Sequence, residues 1–310
     1  MESAVAMSGG NDELLDLSTA HRQFVDPSAE GRKGLVLISA PFLYAFILLA
    51  FPILSVFAHS FWTQNYLTID YGFTLENYRI ALTEPLYQQL LLRSLRISLT
   101  VGVATILLAF PMAYFISFYG GQRKGLLLFL VTLPFWTSYL LRILSWKIIL
   151  GKQGALNTAL MSAGIIDEPI ASLIYNSNAV ILTLAHSWVA FAILPIFVTL
   201  EKIDRTLLEA ATDLGDGPFM RFVRITLPLS ATGIVSALLI VMIPTVGDYV
   251  TPKLVGGSEG IMIANAIQSQ FGRASNWPLG AALSVVTMAS VGLMSAVLFL
   301  AIQALKRFAR

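Results

Sequence analysis

The sequence predicts an all-helical integral membrane protein with six spanning helices, and three observations lead there. Of its 310 residues, 56% are hydrophobic and only 12% are charged, about half the ~25% charge of a soluble domain. Six apolar stretches reach the ~20 residues that carry a helix across a ~30 Å hydrocarbon core. None of them alternates apolar with polar residues as a membrane barrel must, so helices have to satisfy the backbone internally.

Taken in order, residues 1–33 are polar and acidic with scattered glycine and serine, and read as a mostly disordered cytoplasmic tail. They lack the basic start, apolar run and small-residue cleavage site of a signal peptide. The membrane domain, 34–310, comes next, with spans at 34–61, 94–118, 126–150, 179–200, 229–250 and 279–305. Residues 99–118 and 274–305 carry no charge at all. Pro41, Pro52, Pro111, Pro134, Pro195 and Pro244 lie inside five of the six spans and predict bends whose freed carbonyls neighbours must satisfy.

An even number of spans puts both termini on one side. Twelve of the 20 lysines and arginines fall on that side, among them Arg32, Lys33, Arg123, Lys124, Lys202, Arg205, Arg221 and Arg224. The short loop 119–125 is basic without any acid, so the termini are expected in the cytoplasm of a bacterial inner membrane. The outer loops 63–93, 151–178 and 251–278 contain short apolar runs, such as 165–175, that predict helices lying along the membrane surface.

Several function classes drop out. There is no cysteine, hence no disulfide framework, thiol nucleophile or cysteine metal site. His21, His59 and His186 show no ligand spacing, and a net charge of +2 speaks against a nucleic-acid partner. A phosphate-binding loop needs Gly-Lys-Ser/Thr, whereas Gly151-Lys152 is followed by Gln153. No enzyme activity and no cofactor is therefore expected in this chain.

The longest inner loop, 201–228, has a distinctive pattern. Leu207, Leu208, Ala211 and Leu214 share one helical face, with Arg205, Glu209 and Asp213 opposite at a spacing of four. Gly215 and Gly217 break that helix; Asp216 and Pro218 supply a cap and a start for a second, whose apolar face is Phe219, Phe222 and Val223. Leu227-Pro228 closes the excursion and opens the fifth span. Apolar faces exposed in an aqueous loop ask for a protein partner.

This loop resembles the cytoplasmic coupling loop of binding-protein-dependent ATP-binding cassette importers: Glu209-Ala210-Ala211, then Gly215, then Ile225-Thr226-Leu227-Pro228, every spacing matching. The resemblance implies a permease subunit that docks this loop, with Glu209, Ala210, Ala211, Asp213, Gly215, Phe219, Phe222, Leu227 and Pro228, in a groove of an ATPase subunit. It implies as partners two ATPase subunits that bind ATP and Mg, a second permease and a periplasmic binding protein. The stretches Leu133-Pro134-Phe135-Trp136-Thr137-Ser138, Gly247-Asp248-Tyr249-Val250-Thr251-Pro252, Leu254-Val255-Gly256-Gly257 and Asn276-Trp277-Pro278-Leu279 further resemble spermidine/putrescine-type permeases, which work with a paralogous second permease. Relatives of these stretches also occur in permeases for amino-acid derivatives, opine-like compounds and iron.

Within the spans, Asp248, Tyr249, Trp136 and Trp188 can attract a cation and offer it aromatic faces. Two have a plainer reading: Asp248 caps a helix end or pairs with Arg142, and Trp188, like Trp62, Trp146 and Trp277, belongs to an interfacial belt or to bundle packing. Arg142 beside a polyamine would repel it, and reads better as the partner of an acid or a carbonyl. His186 reads as a hydrogen-bonded packing residue. An ion-coupled secondary transporter would place acids at mid-membrane, and these spans have none there.

Overall fold

A computed structural model describes residues 27–66 and 68–308. Most of the expected tail, 1–26, lies outside the described residues, whereas 27–33 already belong to the first helix, α1, Pro27–His59. The chain divides into two units at Ser55. In the first, Phe42 and Phe46 stack one helical turn apart, ring centroids 6.3 Å. The second, Val56–Arg310, contains all the remaining elements.

Two three-residue strands, β1 (Thr63–Asn65) and β2 (Thr68–Asp70), pair antiparallel with Thr63 opposite Asp70. The rest of the described chain is helical or irregular: α2 (Glu76–Thr83), α3 (Pro85–Tyr119), α4 (Lys124–Thr132), α5 (Tyr139–Leu150), α6 (Ala155–Ser162), α7 (Ser177–Glu201), α8 (Arg205–Asp213), α9 (Pro218–Arg221), α10 (Leu227–Val246), α11 (Gly257–Gly260), α12 (Ile263–Phe271) and α13 (Trp277–Phe308). Five helices are long and apolar enough to cross a membrane: Leu37–His59, Pro85–Tyr119, Ser177–Glu201, Pro218–Val246 and Trp277–Ala301. The sixth expected span falls on a pair of helices that reach the length and apolarity of a span only when taken together. Gly121–Trp136 and Tyr139–Ser162 meet at 81°, so 126–150 is a broken helix pair rather than one bent helix.

α3, α7 and α10 pack on one another and form the core of the second unit. Hydrophobic driving force is weak between helices in lipid, so close packing of small residues has to hold them. Ala109, Ala113, Ala192, Ile193, Ala237 and Val241 are fully buried there. Gly233 marks the closest approach: a Cβ on it would lie 2.6 Å from the Pro195 carbonyl oxygen of α7. A second cluster joins Tyr87, Leu90, Val246, Ile263, Leu279 and Leu283, where α13 packs against α2 and α12.

The surface helix expected over 165–175 is absent. That run holds only a short 3-10 turn, Ala171–Leu173. The acidic Asp167-Glu168-Pro169 interrupts it. The Asn157 side chain then pins the chain at Ile170, donating to the carbonyls of Gly151 and Ile170 and accepting from the Ile170 amide. The helix of this loop lies earlier, at α6.

Candidate functional site

Two places carry the residues that the sequence singles out, one at each end of the three-helix core. On the loop 201–228, Asp204 caps α8 by accepting from the Thr206 amide at 3.0 Å, which holds its carboxyl below the usual carboxylate range. The sign is therefore that of a depressed acid: the cap is intact at neutral pH and is lost only as pH falls through the lowered value. α8 ends in a Schellman motif, with the Gly215 amide donating to Thr212 O and the Asp216 amide to Ala211 O. Gly215 has φ +90°, a conformation that side chains with a Cβ resist.

Asp216 does not cap the second helix. Gly217 occupies the cap position, with no side-chain bond, and Asp216 instead accepts from Arg224 at 2.9 Å. Nor does Leu227-Pro228 divide loop from span. α9 runs without interruption into α10, Pro218–Val246 forming one helix with a π-helical turn at Phe222–Thr226. Pro228 has no amide to donate back along the helix, and the widened turn just before it lets the helix continue.

The apolar residues of this loop separate into two sets. Ala211 is buried and Phe222 half-buried, Phe222 meeting the rings of Phe110 and Tyr114 of α3 at 5.6 and 6.4 Å. Leu214 and Phe219 are 87% and 76% exposed, and Glu209, Ala210, Asp213 and Pro228 are exposed beside them. Phe222 thus anchors the loop rather than sharing one outward face with Phe219. Further anchors come from Glu201, which spacing did not single out, and from Arg205, which it did. Glu201 accepts from Ser117 at 2.6 Å and Lys124 at 2.7 Å, and Arg205 donates to the Ser117 carbonyl and lies over Phe118. An acid ending span four beside the acid-free basic loop 119–125 was the signal for Glu201.

At the opposite end, two interrupted helices meet. The broken helix pair turns at Leu133-Pro134-Phe135-Trp136, a 3-10 turn, after which Thr137 is extended. The Arg142 guanidinium donates to the carbonyls of Pro134, Phe135, Thr137 and Ser187 and lies 4.7 Å over the Phe135 ring. Arg142 is therefore bonded to carbonyls, and no ion pair joins it to Asp248 among the described residues.

α10 ends at Val246, and Asp248 and Tyr249 interrupt the helical path before it resumes at Val250. Asp248 caps the helical stretch beyond by accepting from the amides of Val250 (2.8 Å) and Thr251 (3.2 Å). Its other oxygen accepts from the Tyr139 hydroxyl at 2.6 Å, and that hydroxyl is 2.9 Å from the Thr251 hydroxyl. The junction thus joins Tyr139, Asp248 and Thr251 across the two breaks. Nothing in the local sequence of Tyr139 distinguished it from neighbouring aromatics.

Of the remaining candidates, Tyr249 is 43% exposed and its carbonyl accepts from Asn265. Trp136, 76% exposed, lines an apolar groove with Phe129, Phe135 and Phe191 that does not include Asp248. Trp188 is half-buried, and its indole N–H has no acceptor among the described residues. His186 accepts from the Trp146 indole at 3.3 Å, a packing role. Among the described residues, no three acids or histidines come together as a metal site would require.

Comparison with known proteins places this architecture. The model of the family "Binding-protein-dependent transport system inner membrane component" matches residues 34–309. The spermidine/putrescine transport system permease protein PotB of Escherichia coli is 38% identical over 78% of this chain and 88% of its own length. PotB of Haemophilus influenzae is 40% identical over 82% and 88%, and the inner membrane ABC transporter permease protein YdcU of E. coli 31% over 83% and 86%. The fold is shared with a bacterial alginate ABC transporter solved with a pentasaccharide-bound periplasmic protein: TM-score 0.64 and 16% identity, covering 87% of this chain and 94% of that one. The chain belongs to the binding-protein-dependent transport system inner membrane components, the permease subunits of ATP-binding cassette importers.

Proposed function

We propose that this permease carries a small organic cation of the polyamine class, putrescine or spermidine, inward across the bacterial inner membrane. It does so beside a paralogous second permease, with the termini and the loops 119–125 and 201–228 in the cytoplasm. The observation that carries this reading is the 38–40% identity to two permeases named for spermidine and putrescine, running over about four-fifths of the chain. The alginate transporter, at 16% identity, bears on fold alone.

The chain is the non-catalytic membrane part of an assembly that also contains an ATPase and a substrate-binding protein. In that setting the two ends of the core have complementary tasks. The loop with exposed Leu214 and Phe219 receives the ATPase, and the junction of broken helices lies where cargo arrives from the binding protein. Asp248 supports a cationic cargo because an ammonium leaving water needs a compensating charge or aromatic face, and the adjoining Tyr249 ring is accessible.

The test is uptake of labelled putrescine and spermidine into proteoliposomes holding the whole complex and its binding protein. Asp248→Asn retains the capping oxygen while removing the charge. It is expected to assemble normally and to lower polyamine uptake at least tenfold. If the wild-type complex carries neither polyamine but carries a neutral or anionic solute, the cargo class is wrong. If polyamines are carried and Asp248→Asn is silent, Asp248 serves the helix cap alone.

A further inference from the structure

At the end of the core away from the coupling loop, a cleft of about 740 Å³ opens between α3 and the first turn of α7. Gln89, Arg93, Arg96 and Thr100 line it from α3, at steps of four, three and four residues that keep them on one helical face. Its far wall is fixed: Arg93 donates to the Ser258 carbonyl at 3.1 Å, Ser177 to the Glu259 carbonyl at 2.8 Å, and the Ile263 amide to Ser94 at 2.7 Å. Glu259 also lines the cleft, and neither its carboxylate nor the Arg96 guanidinium forms an ion pair or hydrogen bond among the described residues.

Depth decides what such a cleft can hold. α3 has 35 residues, ~52 Å at ~1.5 Å per residue, well beyond the ~30 Å hydrocarbon core. Residues 97–118 carry no charge, a run of roughly 33 Å that fills the core by itself. Arg96 therefore stands at the edge of the hydrocarbon and Arg93 about one turn further out, at the level of the lipid phosphates. Leu92, Ile97 and Ile181 supply the apolar part of the lining. A soluble anion has no use for that part, whereas an acyl chain does.

We propose that this cleft binds a phospholipid whose headgroup carries both a phosphodiester and an ammonium, as phosphatidylethanolamine does. The guanidiniums of Arg93 and Arg96 receive the phosphate, while the α7 N-terminus is already capped by Asn176, which takes the Ala179 and Val180 amides. The Glu259 carboxylate, which would repel a purely anionic headgroup, receives the ammonium. The lipid thereby braces α3 against α7 and the 257–261 wall, beside the junction of broken helices.

Native mass spectrometry of the purified complex, titrated with phosphatidylethanolamine or phosphatidylglycerol, tests the assignment. The wild-type complex is expected to retain phosphatidylethanolamine in preference. Arg96→Gln should weaken retention of either lipid roughly tenfold, the loss of one charge-assisted contact. Glu259→Gln should keep retention but abolish the preference. Equal retention by wild type and both variants overturns the proposal. So does displacement of the lipid by millimolar inorganic phosphate, which would make the cleft a soluble-anion site. Cross-linking of Arg96→Cys to a neighbouring subunit also overturns it, because the cleft would then be a protein interface.

Discussion

Arg142 shows how one side chain makes a broken membrane helix possible. An interrupted helix leaves carbonyls without partners, and in a bilayer each would cost several kcal/mol if exposed to lipid. The planar guanidinium has five donors in a fixed fork, and here it reaches Pro134, Phe135 and Thr137 on its own segment and Ser187 on α7. Lysine has the charge without the fork. Arg142→Lys is therefore expected to destabilise the purified complex by about 2 kcal/mol, one or two charged hydrogen bonds, and to lower its thermal midpoint in detergent. An unchanged midpoint would mean that the break is held by other contacts. The sequence offered a carbonyl as one possible partner for Arg142 but not which ones, because the choice depends on a turn that brings residues 134–137 back over the following helix.

The break itself was illegible for a related reason. Residues 126–150 carry no charge apart from Arg142 and Lys147, and hydropathy registers length and composition rather than continuity. Pro134 announced a bend, but an 81° break needs the extended Thr137 and the guanidinium that satisfies it. The loop 201–228, by contrast, was readable where a residue acts locally: Gly215 ends α8 and Pro218 opens α9. The coupling of Asp216 to Arg224, the unbroken run from Pro218 to Val246, the Glu201 anchor and the inward packing of Phe222 escaped, since they depend on groups more than one turn away.

That unbroken run has a mechanical consequence. A push on exposed Phe219 passes along one helix into α10 without a hinge loop, provided the α8 end keeps its shape. Gly215, at φ +90°, sets that shape, and a Cβ there would meet open space. The requirement is thus for backbone freedom and not for room. Gly215→Ala is expected to strain the turn by about 1–2 kcal/mol, leaving assembly intact but reducing cargo moved per ATP hydrolysed. Gly215→Asn, which tolerates positive φ better, should retain most coupling. An equal loss in both variants would place the requirement in contact with the ATPase instead.

Over the whole molecule, we assign opposite tasks to the two ends of the α3–α7–α10 core: energy received at the loop 201–228, cargo received at the junction of Tyr139 and Asp248. Composition and periodicity made the six-span architecture legible, and the loop motif made the family legible. The division of the loop's apolar residues into an inner anchor and an outer face emerged only in three dimensions, where Phe222 meets Phe110 and Tyr114 while Leu214 and Phe219 remain exposed. Because the chain has no cysteine, this division can be tested directly by single-cysteine cross-linking in inverted membrane vesicles containing the complete importer. Leu214→Cys and Phe219→Cys are predicted to cross-link to the ATPase subunit, while buried Ala211→Cys and Asn157→Cys at the other end of the core are not. Cross-linking to the ATPase from position 157 with none from 214 or 219 would contradict the assignment of this loop, and with it the orientation of the permease in the membrane.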